Sequence, residues 1–229
     1  MNMKSLFLCL LGAVGAVAAP FSFGVRGGVP LTDFINSVET GTSPVNLAPG
    51  LFGITTTTNR YIIGPTVELH LPAGLGIEFD ALYRHLNYTA TGNLVDVAVS
   101  SRTSSNAWEF PLLLKYRFPT PLVKPYVDAG VAWDTLSGLK QTVTETVLPT
   151  HITTTNSTSS PAELHHNTVT GFVVGVGLDV HAIVVHISPE IRYTRWGAQH
   201  FLPPGVPGAT SLPIESNQNQ AEFLLGITF

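Results

Sequence analysis

The chain has 229 residues, 44% of them hydrophobic and only 11% charged, against roughly 25% charged in a typical soluble domain. Its formal net charge is -4 and its few Lys and Arg are dispersed, so there is no basic patch and nucleic-acid binding is excluded. The length suits one all-β domain with loops, and the composition requires that something other than water face part of the surface.

The first residues have the three parts of a secretory signal: Lys4, an apolar core from Leu6 to Val17, and small residues at Ala16-Val17-Ala18. Cleavage is expected after Ala18, because cutting after Ala19 would leave the ring of Pro20 beside the scissile bond. The apolar run is too short for a membrane helix, which needs roughly 20 residues. A signal peptide over 1–18 and a barrel domain over 19–229 are therefore expected. Cys9, the single cysteine, follows bulky Phe7 and Leu8 where a lipoprotein signal has small residues, so acylation is not expected. The mature chain would be cysteine-free, with no disulfide framework to stabilise it.

Beyond the leader no segment approaches the ~18 to 20 uninterrupted apolar residues of a membrane helix. What appears is alternation, which places apolar side chains on one face of a strand and frees the other. The first predicted strand, 21–31, sets Phe21, Phe23, Val25 and Val29 against Ser22 and Arg26. The second, 61–71, sets Tyr61, Ile63, Val67 and Leu69 against Thr66, Glu68 and His70. In the third, 75–85, Leu75, Ile77, Phe79, Ala81 and Tyr83 alternate with Glu78, Asp80 and Arg84. The fourth, 108–118, sets Trp108, Phe110, Leu112, Leu114, Tyr116 and Phe118 against Glu109, Lys115 and Arg117, with Leu113 on the polar side. The fifth, 125–133, opposes Val127, Ala129, Val131 and Trp133 to Tyr126 and Asp128. The sixth, 171–180, opposes Phe172, Val174, Val176 and Leu178 to Asp179 and to glycines. The seventh, 184–196, opposes Val185, Ile187, Ile191 and Tyr193 to His186, Ser188, Glu190 and Arg192. The eighth, 220–229, opposes Ala221, Phe223, Leu225, Ile227 and Phe229 to Glu222.

Thirteen charges fall on the polar faces and none on the apolar ones except Arg195 at a strand end. The links at 72–74, 119–124 and 181–183 are short, whereas 32–60, 86–107, 134–170 and 197–219 are long and rich in Thr, Ser, Asn, Gly and Pro, as in solvated loops. Long and short links in alternation suit an eight-stranded antiparallel up-and-down transmembrane β-barrel, with both termini on the short-turn, periplasmic side. A soluble eight-stranded barrel with its apolar face inward would alternate equally well. Tyr61, Trp108, Trp133 and Tyr193 at one end, and Tyr116, Phe118 and Phe229 at the other, favour membrane girdles. Pro65, Pro111 and Pro189 each remove a ladder donor inside a strand, so bulges or strand ends that flip the phase are expected there.

The stretches EFPLLLKYRF from Glu109, KPYVDAGVAW from Lys124, SPEIRYTRW from Ser188 and EFLLGITF from Glu222 resemble the outer membrane protein β-barrel domain family, small barrels like OmpA and OmpX. The likeness spans essentially the whole mature chain. It implies location in the outer membrane of a Gram-negative bacterium, contact with outer-membrane lipid, and roles in adhesion, envelope integrity or small-solute passage. Phe223, Leu225, Ile227 and Phe229 resemble the signal read by the barrel assembly machinery. OmpA continues into a peptidoglycan-binding domain; this sequence stops at the last strand.

Candidate chemistry is sparse. The pairing of His186 with Ser188 follows from alternation alone, since residues i and i+2 of a strand share a face. An H-x-S pair nonetheless resembles that of outer-membrane lipid A deacylases, with Glu190 as the orienting acid. The lipid-facing location those enzymes use does not match, so no catalytic residue is expected. His151, His165 and His166 lack the spacing of a metal site, and neither a metal nor a cofactor is expected. Asn87-Tyr88-Thr89 and Asn156-Ser157-Thr158 match the glycosylation pattern but read as polar loop. The interior of an eight-stranded barrel is just wide enough to be filled by side chains. The inward cations Arg26, Arg84, Lys115, Arg117 and Arg192 are therefore expected to pair with Glu68, Glu78, Asp80, Glu109, Asp128, Asp179, Glu190 and Glu222 as a structural plug. The long loops are left to meet an extracellular ligand. The alternatives are a small cation-preferring diffusion channel and, less favoured, a lipid-acting hydrolase.

Overall fold

The computed structural model describes residues 20–35, 41–42, 51–56, 61–94, 96–182, 185–202 and 215–229; the expected leader, with Ala18 and Ala19, and Val184 lie outside the described residues. The strands are β1 (Phe21–Pro30), β2 (Gly41–Thr42), β3 (Leu51–Thr56), β4 (Ile62–His70), β5 (Leu75–Asp80), β6 (Leu82–Leu94), β7 (Val97–Arg117), β8 (Val123–Val147), β9 (Ile152–Thr158), β10 (Thr168–Ala182), β11 (Val185–Trp196) and β12 (Asn219–Thr228). Their pairings are antiparallel, and β1 pairs with both β4 and β12. The ring β1-β4-β5/β6-β7-β8-β10-β11-β12 therefore closes, with β5 and β6 sharing one of its eight positions. At the seam Phe229 N donates to Phe23 O at 2.9 Å.

The period-2 pattern is realised as read. Phe23 is 64% exposed and Leu114 56%, whereas Arg26 is 1% and Arg192 0% exposed. Apolar outside and charged inside inverts a soluble barrel, and such an exterior suits hydrocarbon. The belt is lined by aromatic contacts, with Trp108 and Phe110 stacked at 6.3 Å and Tyr116 edge-on to Phe118 at 5.1 Å.

The prolines act differently from expectation. Register is identical on both sides of Pro65 (Thr66↔Asp80, Ile63↔Tyr83), of Pro111 (Phe79↔Leu112, Leu82↔Glu109) and of Pro189 (Gly177↔Glu190, Val180↔Ile187). No bulge forms at these positions and no phase flips. Each ring interrupts the ladder on one side only: Ala81 N donates to Pro65 O at 3.0 Å, and Pro65 has no N–H to return, so β5 and β6 part at Ala81. The register shift of the β7–β8 pair lies elsewhere, between Ser104 and Asn106. Opposite it, β8 carries an extra residue around Gly138, whose φ of 61° suits glycine.

Two of the four links expected to be solvated loops, 86–107 and 134–170, are largely sheet. β6 and β7 pair out to Leu94↔Val97, and β8 continues to Val147 before β9 returns along it. Thr and Ser favour this because they are β-branched or hydroxylated: Thr142–Ser157 and Thr146–Thr153 form cross-strand hydroxyl bonds at 3.1 Å. The Asn87 and Asn156 triplets accordingly sit in β6 and β9, not in loops, and Tyr88 is buried.

Candidate functional site in the barrel lumen

All thirteen charges expected on the polar faces lie on the interior, and they sort into layers. At the rim bearing the short turns, Arg117 is paired with Glu68 and its Nε donates to Asp179 Oδ2 at 2.8 Å. His70 Nε2 lies 3.7 Å from Glu68.

The middle layer is the densest. Arg26 pairs with Glu190 and reaches Glu78 at 2.7 Å and Asp80 at 3.5 Å. Arg192 crosses the same space to Glu190 at 2.7 Å, Asp80 at 2.9 Å and Glu78 at 3.1 Å. Lys115 pairs with Glu78 and sits 4.2 Å from the Tyr126 ring centroid, while Tyr126 OH donates to Glu190 at 2.9 Å. β10 makes room by presenting glycine: a Cβ on Gly175 would run into the Asp128 carboxylate, and one on Gly177 into the Tyr126 ring. Asp128 is buried, and neither of its carboxylate oxygens has a hydrogen-bond partner among the described residues.

Above this layer the interior is not polar throughout. Leu113, expected in a polar lumen, is 1% exposed and packs with Ala132, Val169, Val173 and Trp196. Ile62, Leu82 and Leu224 form a second apolar contact. A third charged layer follows: Arg84 donates to Asp134 at 2.6 Å and lies 3.5 Å from Glu222 and 3.9 Å from Glu109. Gln220 Nε2 donates to Glu109 at 3.1 Å and bonds Glu222. Trp196 Nε1 donates to Gln220 at 3.1 Å.

The far mouth is capped by a cluster around Ile35, Leu86, Tyr88, Ala107, Leu136 and Phe201. Ile35 bridges Ser216 and Leu164 bridges Phe201, so segments between the strands fold inward over the lumen. Three buried Asp, Glu or His residues, Asp134, Glu163 and His200, lie outside the expected set. Asp134 continues the inward series of Tyr126 and Asp128 by simple alternation, one residue past Trp133, where the fifth strand is predicted to end. His200 Nδ1 lies 2.8 Å from His166 O and its Nε2 3.4 Å from Asp134; it sits outside any strand and carries no periodic signal.

The His186–Ser188 pair is not assembled for nucleophilic chemistry. His186 turns Nδ1 to Asp179 Oδ1 and Nε2 to His181 Nδ1, each at 3.0 Å, and Glu190 is committed to Arg26, Arg192 and Tyr126. His165 and His166 touch each other at 3.0 Å, and His151 occupies a turn with φ of 54°. Phe223, Leu225, Ile227 and Phe229 are all exposed on the exterior.

The family model described as outer membrane protein beta-barrel domain matches residues 5–202. No curated protein matches the chain. Among solved structures it is similar to OprG from Pseudomonas aeruginosa, at 12% identity over 91% of this chain and 92% of that chain, with a TM-score of 0.48. It is also similar to Neisserial surface protein A, at 12% identity over 93% and 98% with a TM-score of 0.43. A third likeness is to Ail, the attachment invasion locus protein of Yersinia pestis, at 8% identity over 91% and 98% with a TM-score of 0.33. Scores below 0.5 lend no weight to a shared role, and the architecture rests on the strand pairings and the family match.

Proposed function

Because the chain belongs to the outer membrane protein beta-barrel domain family, and so sits in the lipid of a Gram-negative outer membrane, we propose that it serves there as a structural scaffold presenting its long hairpins to the outside, without catalysis and without a conducting pore. The observation that carries this is the middle of the lumen. Arg26, Glu78, Asp80, Lys115, Glu190 and Arg192 are each at most 1% exposed and bonded across the barrel. Opening a path would strip partners from charges whose isolated burial costs several kcal/mol each.

The same reading places both termini and the short turns in the periplasm. It assigns 1–18 to a signal peptide cut after Ala18 and 19–229 to the barrel. The β8–β9 hairpin, whose β9 residues are all exposed, is the surface offered to an extracellular ligand. Phe223, Leu225, Ile227 and Phe229 are proposed as the signal for the barrel assembly machinery, since their side chains line the outside of the strand that joins the ring to β1. Phe229→Asp should leave export intact and abolish heat-modifiable migration on gels; a folded band in cells would refute this role.

A small cation-preferring channel is the second reading, favoured by the two unpartnered oxygens of Asp128, which call for water or a proton. Planar-bilayer recording of the refolded protein separates the two. The scaffold gives no steady conductance, whereas well-resolved cation-selective steps would overturn it.

A further inference from the structure

Beyond that role, we propose that His181 and His186 form a transition-metal site at the rim bearing the short turns, oriented by Asp179. The two histidines face each other across the β10–β11 ladder (His181↔His186). Their rings meet edge-on at 4.5 Å with Nδ1 of His181 3.0 Å from Nε2 of His186. Two nitrogens bound at about 2.0–2.1 Å to one metal lie about 2.9 Å apart at a right angle and about 3.4 Å apart at the tetrahedral angle. The spacing therefore fits a shared ion as well as a hydrogen bond.

Asp179 makes the difference. It holds Nδ1 of His186 at 3.0 Å, which fixes the proton on that nitrogen and leaves the Nε2 lone pair aimed at His181. This is the carboxylate–histidine arrangement that orients metal ligands. His181 is exposed, so its proton moves to the solvent-facing Nε2 when Nδ1 takes the metal, and both imidazoles stay neutral. The pair opens onto a cleft of about 410 Å³ that Lys124 also lines, with room for water to complete the coordination. Among the described residues no third His, Cys, Asp or Glu converges on the position, since Asp179 lies behind the ring. Two imidazole nitrogens suit a borderline ion such as Cu²⁺, which takes imidazole in tetragonal geometry, and not Ca²⁺ or Mg²⁺, which require oxygen ligands.

His165 and His166 also approach to 3.0 Å, so the test uses His165→Asn/His166→Asn as the parent, refolded in phosphatidylcholine vesicles and titrated with CuCl₂. The expected result is one saturable Cu²⁺ per chain, with nitrogen couplings in its electron paramagnetic resonance spectrum. His181→Asn, at an exposed position that leaves the barrel intact by gel migration, should abolish saturable binding, and so should His186→Asn. Asp179→Asn should weaken it about 10- to 100-fold. Saturable binding that survives His181→Asn, or none in the parent at micromolar Cu²⁺, would overturn the site and leave a hydrogen-bonded chain.

Discussion

The middle of the lumen and the mouth away from the short turns are filled by opposite chemistries. In the middle, guanidinium groups are each shared among several carboxylates; at the mouth, Ile35, Leu86, Tyr88 and Phe201 pack as an ordinary apolar core. The exterior explains the contrast. Where hydrocarbon surrounds the wall, the apolar residues are drawn outward and the interior receives what lipid rejects. Where the wall rises past the aromatic girdle into water, the interior becomes again the dry side and collects apolar side chains as in any soluble sheet.

That contrast can be broken at its strongest point first. Arg192→Ala leaves Asp80, Glu78 and Glu190 short of a partner and should destabilise the barrel by about 3 to 5 kcal/mol, read from urea unfolding in lipid vesicles; a loss near zero would mean the middle layer is hydrated and the plug does not hold.

Next is the wall. Leu112→Arg puts a charge into lipid and should cost about 2 to 4 kcal/mol. Alternation alone puts Leu113→Arg in a polar lumen and hence makes it cheap. Buried against Val173 and Trp196, it should instead lose stability comparable to Leu112→Arg, and a tolerated Leu113→Arg would show that this apolar contact yields to water.

At the mouth, Leu86→Ala should cost roughly 2 kcal/mol, the low end for a core leucine, because the inward-folded segments can close on the gap. It should also speed proteolysis of those segments, whereas Arg192→Ala should not do so selectively. Smallest is Arg102→Ala on the exposed face of β7, expected below about 1 kcal/mol; a larger loss would give the long hairpins a stabilising role that the exposure of Arg102 does not suggest.

What is legible in the sequence follows the same division. A lipid-facing strand constrains every second residue, so Trp108 to Phe118 announces its face and its phase without help from the rest of the chain. The prolines mislead because a missing N–H suggests an extra residue in the strand. Pro65, Pro111 and Pro189 show that a barrel can leave one side of a ladder unbonded and keep its register. The segments past the girdle are harder. Leu86, Tyr88 and Ala90 do alternate, but Thr- and Ser-rich flanks resemble loop, and nothing local places Phe34 and Phe201, which reach the lumen only through Ile35↔Ser216 and Leu164↔Phe201. In the candidate site, charges on regular strands can be read in sequence, whereas His200 lies outside any strand and His181 falls in what reads as the turn 181–183, so neither carries a periodic signal.

The interior ion pairs also bear on how the barrel can form. Arg192 finds Asp80 across 112 residues of chain, and Arg26 finds Glu190 across 164. A hairpin entering the bilayer alone would bring these charges in without their partners, at several kcal/mol apiece. Stepwise insertion, one hairpin after another, is thereby disfavoured against a pathway in which most strands cross together, and the long sequence separations make that pathway slow. The seam between Phe23 and Phe229 would then close late, after β1 and β11, the neighbour of the last strand, have already been drawn together by Arg26 and Glu190.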